Sequence, residues 1–201
     1  MTDRARDPRT ARTVASLRSA LRESLRDRAL DDVSVSELCR IADIRRTTFY
    51  THYSSVADLL TDMLATGVDE PLDLVDTSGM SVAKVAELFQ DTLIASFDVV
   101  THDRELFRVA FGSAAGTPMR RALTDAFRRR LEIAFSIWAE HGAALDVNIP
   151  VATVFAAGGL AAAVEGWAIS DDEDATVWAN AVRDQMAPWW PRGEGADVTE
   201  A

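Results

Sequence analysis

Apolar residues recur at spacings of three and four along most of this chain of 201 residues. That period belongs to amphipathic α-helices. Val14, Leu17, Leu21 and Leu25 form a first stripe, with Asp7-Pro8 or Thr10 placed to open its helix. The turn at Leu30-Asp31-Asp32 ends it. Ser34 and Glu37 have the S-x-x-E spacing of a capping box, so a second, short helix follows with Val35, Leu38 and Ala42 on its buried side. Asp43 is the turn residue, because Asp tolerates left-handed backbone better than most. Ile44 plugs the angle between that helix and a third, from about Arg45 to Tyr53. Ser54-Ser55 caps a fourth, with Leu59, Leu60, Met63 and Leu64 inward.

Asp69–Ser81, with Pro71, Asp76 and Ser78-Gly79, reads as a linker. Long helices follow. One is expected from about Ser81 to Val100, with Val85, Leu88, Phe89, Leu93 and Phe97 inward. A shorter one runs from Arg104 to Phe111, and Gly112–Pro118 is a loop. The next spans Pro118 to His141 with Leu123, Phe127, Leu131, Phe135 and Trp138 on its stripe. After a loop at Gly142–Asn148, a helix from Pro150 to Ile169 is lined by Ala and Gly. Asp171, Asp172, Glu173 and Asp174 suit the N-terminus of a last helix, which is expected to end near Trp189-Trp190 before Pro191. Residues 192–201 have no apolar period and read as disordered.

The pattern predicts an all-α fold of about nine helices. Three short N-terminal helices make a helix-turn-helix head, and a larger helical body follows. The corresponding domains are 1–55, 56–190 and a tail at 191–201.

Charge changes this picture in one respect. The net charge of -11 argues against nucleic acid, but it is unevenly spread. Residues 1–60 hold 11 Arg against 9 acids, whereas residues 61–201 hold 10 basic and 23 acidic residues. Such asymmetry fits a DNA-contacting head on an acidic body, because phosphate affinity follows local basic charge. The only cysteine, Cys39, excludes an intrachain disulfide and a cysteine-based zinc site. The N-terminus has no apolar core of a signal peptide. The longest apolar run, Val151–Val164, is too short and too rich in Ala and Gly to span a bilayer, so cytoplasmic residence without a membrane is the expectation.

The third helix carries the chemistry. Arg45, Arg46, Thr47, Thr48, Tyr50, Thr51 and His52 are mostly hydrogen-bond donors and poor core formers. The stretch Ser34-Val35, Glu37-Leu38-Cys39, Ala42-Asp43-Ile44, Thr48-Phe49-Tyr50, His52-Tyr53 and Leu59-Leu60 resembles the DNA-binding segment of the tetracycline-repressor (TetR) family of bacterial transcriptional regulators. The resemblance covers about residues 10–65. It departs at two positions. Asp43 replaces the usual turn glycine, and Val56 replaces a lysine that contacts phosphate in that family.

Taken with groove chemistry, the resemblance implies roles. Arg45 and Arg46 would fork onto guanine O6 and N7, and Thr47 or Thr48 would touch a thymine methyl. Tyr50, Thr51, His52 and Ser34 would meet phosphates. Arg4, Arg6 and Arg9 of the N-terminal arm would reach a minor groove. Phe49 reads as core, and Arg128-Arg129-Arg130 as a solvated helix face.

One head reads too little sequence for useful specificity, so a homodimer on a palindromic double-stranded operator is expected. The last two helices are the candidates for its interface. Gly158, Gly159 and Ala162 would permit close helix approach, and Trp178, Val182 and Met186 add an apolar stripe; packing within one subunit is the alternative. In the TetR family, residues such as Met63, Phe89, Leu93, Phe97, Phe107, Phe111, Phe135, Trp138, Phe155 and Trp167 line an effector pocket. Periodicity alone does not separate a filled core from a cavity.

The function expected is a repressor released from its operator by a small apolar or amphipathic effector. An alternative is a ligand-independent helical regulator whose body only dimerises or binds a protein partner. Enzymatic function is not expected. His52, His102 and His141 are scattered, and no metal-ligand spacing, phosphate-binding glycine loop or nucleophile elbow occurs. No cofactor or metal is implied.

Overall fold

The apolar stripes become helices in the computed structural model, which describes residues 8–69, 79–140, 147–186 and 190. Among the described residues there are nine α-helices, one 3-10 turn and no strand. They run α1 (Pro8–Ser24), the turn (Leu30–Asp32), α2 (Val35–Ile41), α3 (Arg46–His52), α4 (Val56–Asp69), α5 (Val82–His102), α6 (Arg104–Gly112), α7 (Gly116–Glu140), α8 (Ile149–Ile169) and α9 (Ala175–Asp184). The all-α class is the one the pattern predicts. Arg4, Arg6, most of the linker, most of the loop before α8, Trp189 and the tail lie outside the described residues.

Short polar side chains start these helices by accepting from otherwise unpaired N–H groups. Ser34 Oγ accepts from the Glu37 N–H at 3.2 Å, Ser55 Oγ from Asp58 at 3.1 Å, and Asn148 Oδ1 from Val151 at 3.2 Å. Asp174 caps α9 by accepting from both Thr176 and Val177 at 3.0 Å. Only half of the first capping box forms. The Glu37 carboxylate pairs with both terminal guanidinium nitrogens of Arg28, at 2.7 and 2.8 Å, because a fork of charged donors outcompetes one backbone N–H.

Several expectations are corrected. α7 begins at Gly116 and so includes Pro118 in its first turn, where proline removes no helical hydrogen bond. α9 ends at Asp184, well before Trp189. Arg130 is not a solvated residue: it is 8% exposed and donates to the Val68 carbonyl at 2.7 Å. α8 ends at Ile169 as expected, beyond the apolar run Val151–Val164. At 21 residues it is long and apolar enough to cross a membrane by length and composition, although only 33% of that window is buried within the chain.

The chain forms two compact units. The first comprises residues 1–65 and 105–119. Its interior holds Leu17 and Leu21 of α1, Leu38 and Cys39 of α2, Phe49 of α3, Leu59 and Leu60 of α4, and Phe107 and Ala110 of α6. The second comprises residues 66–104 and 120–201. There α5 packs against α8 and α9. The α7 stripe of Leu123, Phe127, Leu131, Phe135 and Trp138 is buried throughout. The Trp167 indole N–H donates to the Phe97 carbonyl at 2.9 Å. The Arg104 guanidinium lies 4.5 Å over the Trp167 ring. It donates to the carbonyls of Trp167, Ser170 and Asp172, filling the open acceptors at the end of α8.

Candidate nucleic-acid interface

The helix-turn-helix is set by its turn. Asp43 has φ 53°, the one positive φ of a non-glycine residue among those described. This reverses the chain after α2, and the Ile44 N–H then returns to the Cys39 carbonyl at 2.9 Å. Arg45 follows in extended conformation as the N-cap of α3. Its carbonyl accepts from Thr48 and Phe49, and its side chain takes no part in the cap.

In α3 the donors and the core formers separate onto two faces. Phe49 is fully buried and Tyr53, at the C-cap, is 7% exposed. Arg45, Arg46, Thr47, Tyr50 and Thr51 are exposed, whereas Thr48 and His52 are half-buried. Tyr50 is 52% exposed and rests edge-on against Phe49, centroids 5.5 Å apart. The Thr51 hydroxyl donates to the Thr47 carbonyl at 2.9 Å. It must rotate away before it can donate to a phosphate. Ser34 accepts from Glu37, which leaves its own hydroxyl proton free to donate outward. Arg9 stands exposed in the first turn of α1, and Val56 is the half-buried first residue of α4.

Two positioning residues escaped the sequence reading. Asp62 of α4 accepts from the Tyr53 hydroxyl at 2.7 Å and from Arg18 of α1 at 3.0 Å. This tie fixes the end of α3 to two supporting helices. Burial, then the bond to Asp62, raises the Tyr53 pKa well above the ordinary phenol value, so the hydroxyl remains a donor. Nothing in sequence signals a pair 44 residues apart. The hydrogen bonds from Arg28 hold Glu37 below its usual carboxylate value, and burial raises the Cys39 thiol. Among the described residues no group of His, Cys, Asp and Glu is placed to hold a metal ion.

The candidate effector residues fall into three sets. Met63, Phe107 and Phe111 are buried in the first unit. Phe89, Leu93, Phe97, Phe135, Trp138 and Trp167 lie in the second unit, with Phe89 and Leu93 only half-buried. Phe155 joins neither set. It is 82% exposed, because it sits on the outer face of α8.

Of the candidate dimer residues, Gly158, Gly159 and Ala162 are exposed on that same face. A Cβ at Gly158 or Gly159 would meet nothing within 4 Å. Trp178 is half-buried, 5.3 Å from the Trp167 ring and against Gly166, and Val182 and Met186 are half-buried on α9 and just beyond it. Val151, Val154 and Ile169 of α8 and Val177 of α9 are each more than 60% exposed. The three-and-four spacing of the α8 residues on the side opposite its buried residues is the signal that would have found them.

No protein-family model matches the chain, and no curated protein matches it by sequence. Solved structures do match it. The dihydroxyacetone kinase operon activator DhaS superposes with a TM-score of 0.63 at 16% identity, over 87% of this chain and 96% of that one. A protein of Syntrophomonas wolfei described as a TetR-family transcriptional regulator gives 0.62 at 13%, over 86% and 91%. RolR without ligand gives 0.57 at 23%, over 88% and 90%. RolR with resorcinol gives 0.51 at 22%, over 87% of each chain. The fold of this chain is therefore the TetR-type regulator fold.

Proposed function

We propose that this chain is a TetR-like DNA-binding transcriptional regulator, a repressor in its effector-free form. Residues 1–55 serve as the DNA-contacting head and residues 56–190 as the effector-binding and dimerising body. The observation that carries this reading is the division of α3. Phe49 and Tyr53 anchor the helix from beneath, and Arg45, Arg46, Thr47 and Tyr50 project from it unburied. An exposed helix start bearing two arginines suits the major groove, where each guanidinium can take guanine O6 and N7.

Dimerisation through α8 is the second part of the proposal. Glycine inside a helix costs about 1 kcal/mol, so an adjacent pair calls for a packing reason. Among the described residues nothing fills the space outside Gly158 and Gly159, and Phe155, Val151 and Val154 stand exposed beside them. A second copy crossing at the two glycines would cover this face and present two heads to a palindrome. Its half-sites would lie about one helical turn, roughly 34–36 Å, or a multiple of it apart. By analogy with the resorcinol complex of RolR, a small effector binds the second unit and favours a head spacing that does not fit DNA. It must bind the two states with different affinity for this to work.

Fluorescence anisotropy with DNA flanking the gene tests the reading. Sequence-dependent, salt-sensitive binding of a dimer is expected. Arg45→Ala and Arg46→Ala should each weaken it and relax base preference. Binding that ignores sequence, or survives both substitutions, would sink the proposal.

A further inference from the structure

Among the described residues Arg40 is a cation left without a hydrogen bond or an ion pair, and its neighbours explain why. It stands exposed in the last turn of α2, between Glu37 and the Asp43 turn. Acid and arginine at the i, i+3 spacing of Glu37 and Arg40 do pair elsewhere in this chain. Glu105 meets Arg108 at 3.1 Å, and Asp125 meets Arg128 at 3.8 Å. Glu37 does not meet Arg40, because Arg28 holds both of its carboxylate oxygens, at 2.7 and 2.8 Å. Arg40 acts on Glu37 only through space.

The turn brings Arg40 beside the start of α3. The Ile44 N–H bonds to the Cys39 carbonyl at 2.9 Å, so Arg40 and Arg45 each adjoin one member of that bonded pair. The Arg46 guanidinium is near enough to act on the Cys39 thiol. Leu38 and Cys39 turn inward on α2, whereas Ser36 and Arg40, one helical turn apart, are exposed. Three exposed arginines therefore bracket one turn. Arg28 is itself a poor place for a phosphate, since Asp27, Asp32 and Glu37 all act on its guanidinium. Beside Arg40, the Glu37 charge is already neutralised.

We propose that Arg40 is a DNA-phosphate contact of the head, and that Arg28 is a positioning residue that keeps Arg40 unpaired by holding Glu37. This rests on the reading of residues 1–55 as the DNA-contacting head. An unpaired guanidinium beside Arg45 and Arg46 can donate to a backbone phosphate without first breaking an ion pair.

The test uses the full chain, a labelled duplex from the DNA flanking the gene and an unrelated duplex of the same length. Anisotropy over a salt series gives the slope of log affinity against log salt. Arg40→Gln should weaken both duplexes by a similar factor. It should lower the magnitude of the slope by about 0.9 for each phosphate lost, hence about 1.8 for a dimer with two heads on DNA. Arg40→Lys keeps the charge and should keep the slope. Arg28→Gln should reproduce the loss, because Glu37 then pairs with Arg40. In a Glu37→Gln background no carboxylate remains to take Arg40. There Arg28→Gln should leave the slope unchanged, and Arg40→Gln should still lower it. Should Arg28→Gln fail to fold, Arg28→Lys carries the same test, since an ammonium replaces the fork and leaves a carboxylate oxygen open to Arg40. A role confined to the end of α2, where the helix dipole favours a cation, would lower stability in Arg40→Gln and leave the slope unchanged. That result would overturn the contact. A loss in Arg28→Gln that persists in the Glu37→Gln background would overturn the positioning role. Loss of binding in Arg45→Ala beside an unchanged slope in Arg40→Gln sinks this assignment alone, whereas no sequence-dependent binding by the unsubstituted protein sinks the DNA-binding reading with it.

Discussion

Phe155→Ala is the sharpest probe of the α8 face. Fully burying a phenylalanine side chain is worth about 1.5–3 kcal/mol. In this chain Phe155 is 82% exposed, so most of that free energy is unrealised until a second copy covers the ring. In a two-fold interface the loss counts once in each protomer. The substitution should therefore weaken the dimer by about 2.5–5 kcal/mol, a rise of roughly a hundred-fold to a few thousand-fold in its dissociation constant. Sedimentation equilibrium over a dilution series measures that constant. The isolated chain should fold as before, with an unchanged helical circular dichroism spectrum, because Phe155 contributes little to its interior. Operator affinity should fall at nanomolar protein and recover as concentration rises. A dimerisation constant within about threefold of the unsubstituted value would refute the reasoning. So would association of the unsubstituted protein with lipid vesicles in place of itself, which the length and apolarity of α8 make the natural competitor.

Further outcomes follow from the head. Val56→Lys should tighten binding across all DNA sequences and steepen the salt dependence by about one counterion, read from affinity against log salt; an unchanged slope would remove residue 56 from the backbone contacts. Asp43→Gly should raise stability by about 0.5–1 kcal/mol, since left-handed backbone strains an L-residue and not glycine; a lower denaturation midpoint would contradict the turn geometry. Tyr53→Phe should lower stability at neutral pH by about 1.5–3 kcal/mol, the range for a hydrogen bond to a charged group. The phenol pKa is raised on folding, so its contribution is complete below the ordinary value near 10 and is lost as pH climbs beyond it. The stability gap between the unsubstituted protein and the Tyr53→Phe variant should therefore shrink above about pH 10 in urea melts, and a gap that widens there would contradict the assignment.

Much of the fold was legible because helices are local objects. The three-and-four spacing of Leu123, Phe127, Leu131, Phe135 and Trp138 marks one face of one helix, and all five are buried. Ser34, Ser55 and Asp174 announce helix starts because capping acts over three residues. The exposed donors of α3 could be read for the same reason: a short helix with few core formers must turn most of its side chains outward. Errors arose where distant residues decide the outcome. Arg130 reads as the end of a solvated run of three arginines, but it turns inward to the Val68 carbonyl. Phe155 resembles a pocket residue because aromatic chemistry says nothing about which face of a uniformly apolar helix is covered. Trp190 reads as the end of a helix, and instead it folds back onto Trp138 after α9 has stopped.

The sequence by itself determined the helices, most of their caps and the exposed polar face of α3, since each depends on neighbours within a turn or two. Tertiary structure alone decided which of the apolar surfaces find partners. It placed Asp62 between Arg18 and Tyr53 behind α3, left one face of α8 exposed among the described residues, and set Trp190 edge-to-face against Trp138. Those outcomes depend on which helix faces meet, and residues far apart in the chain have no periodicity in common from which that meeting could be read.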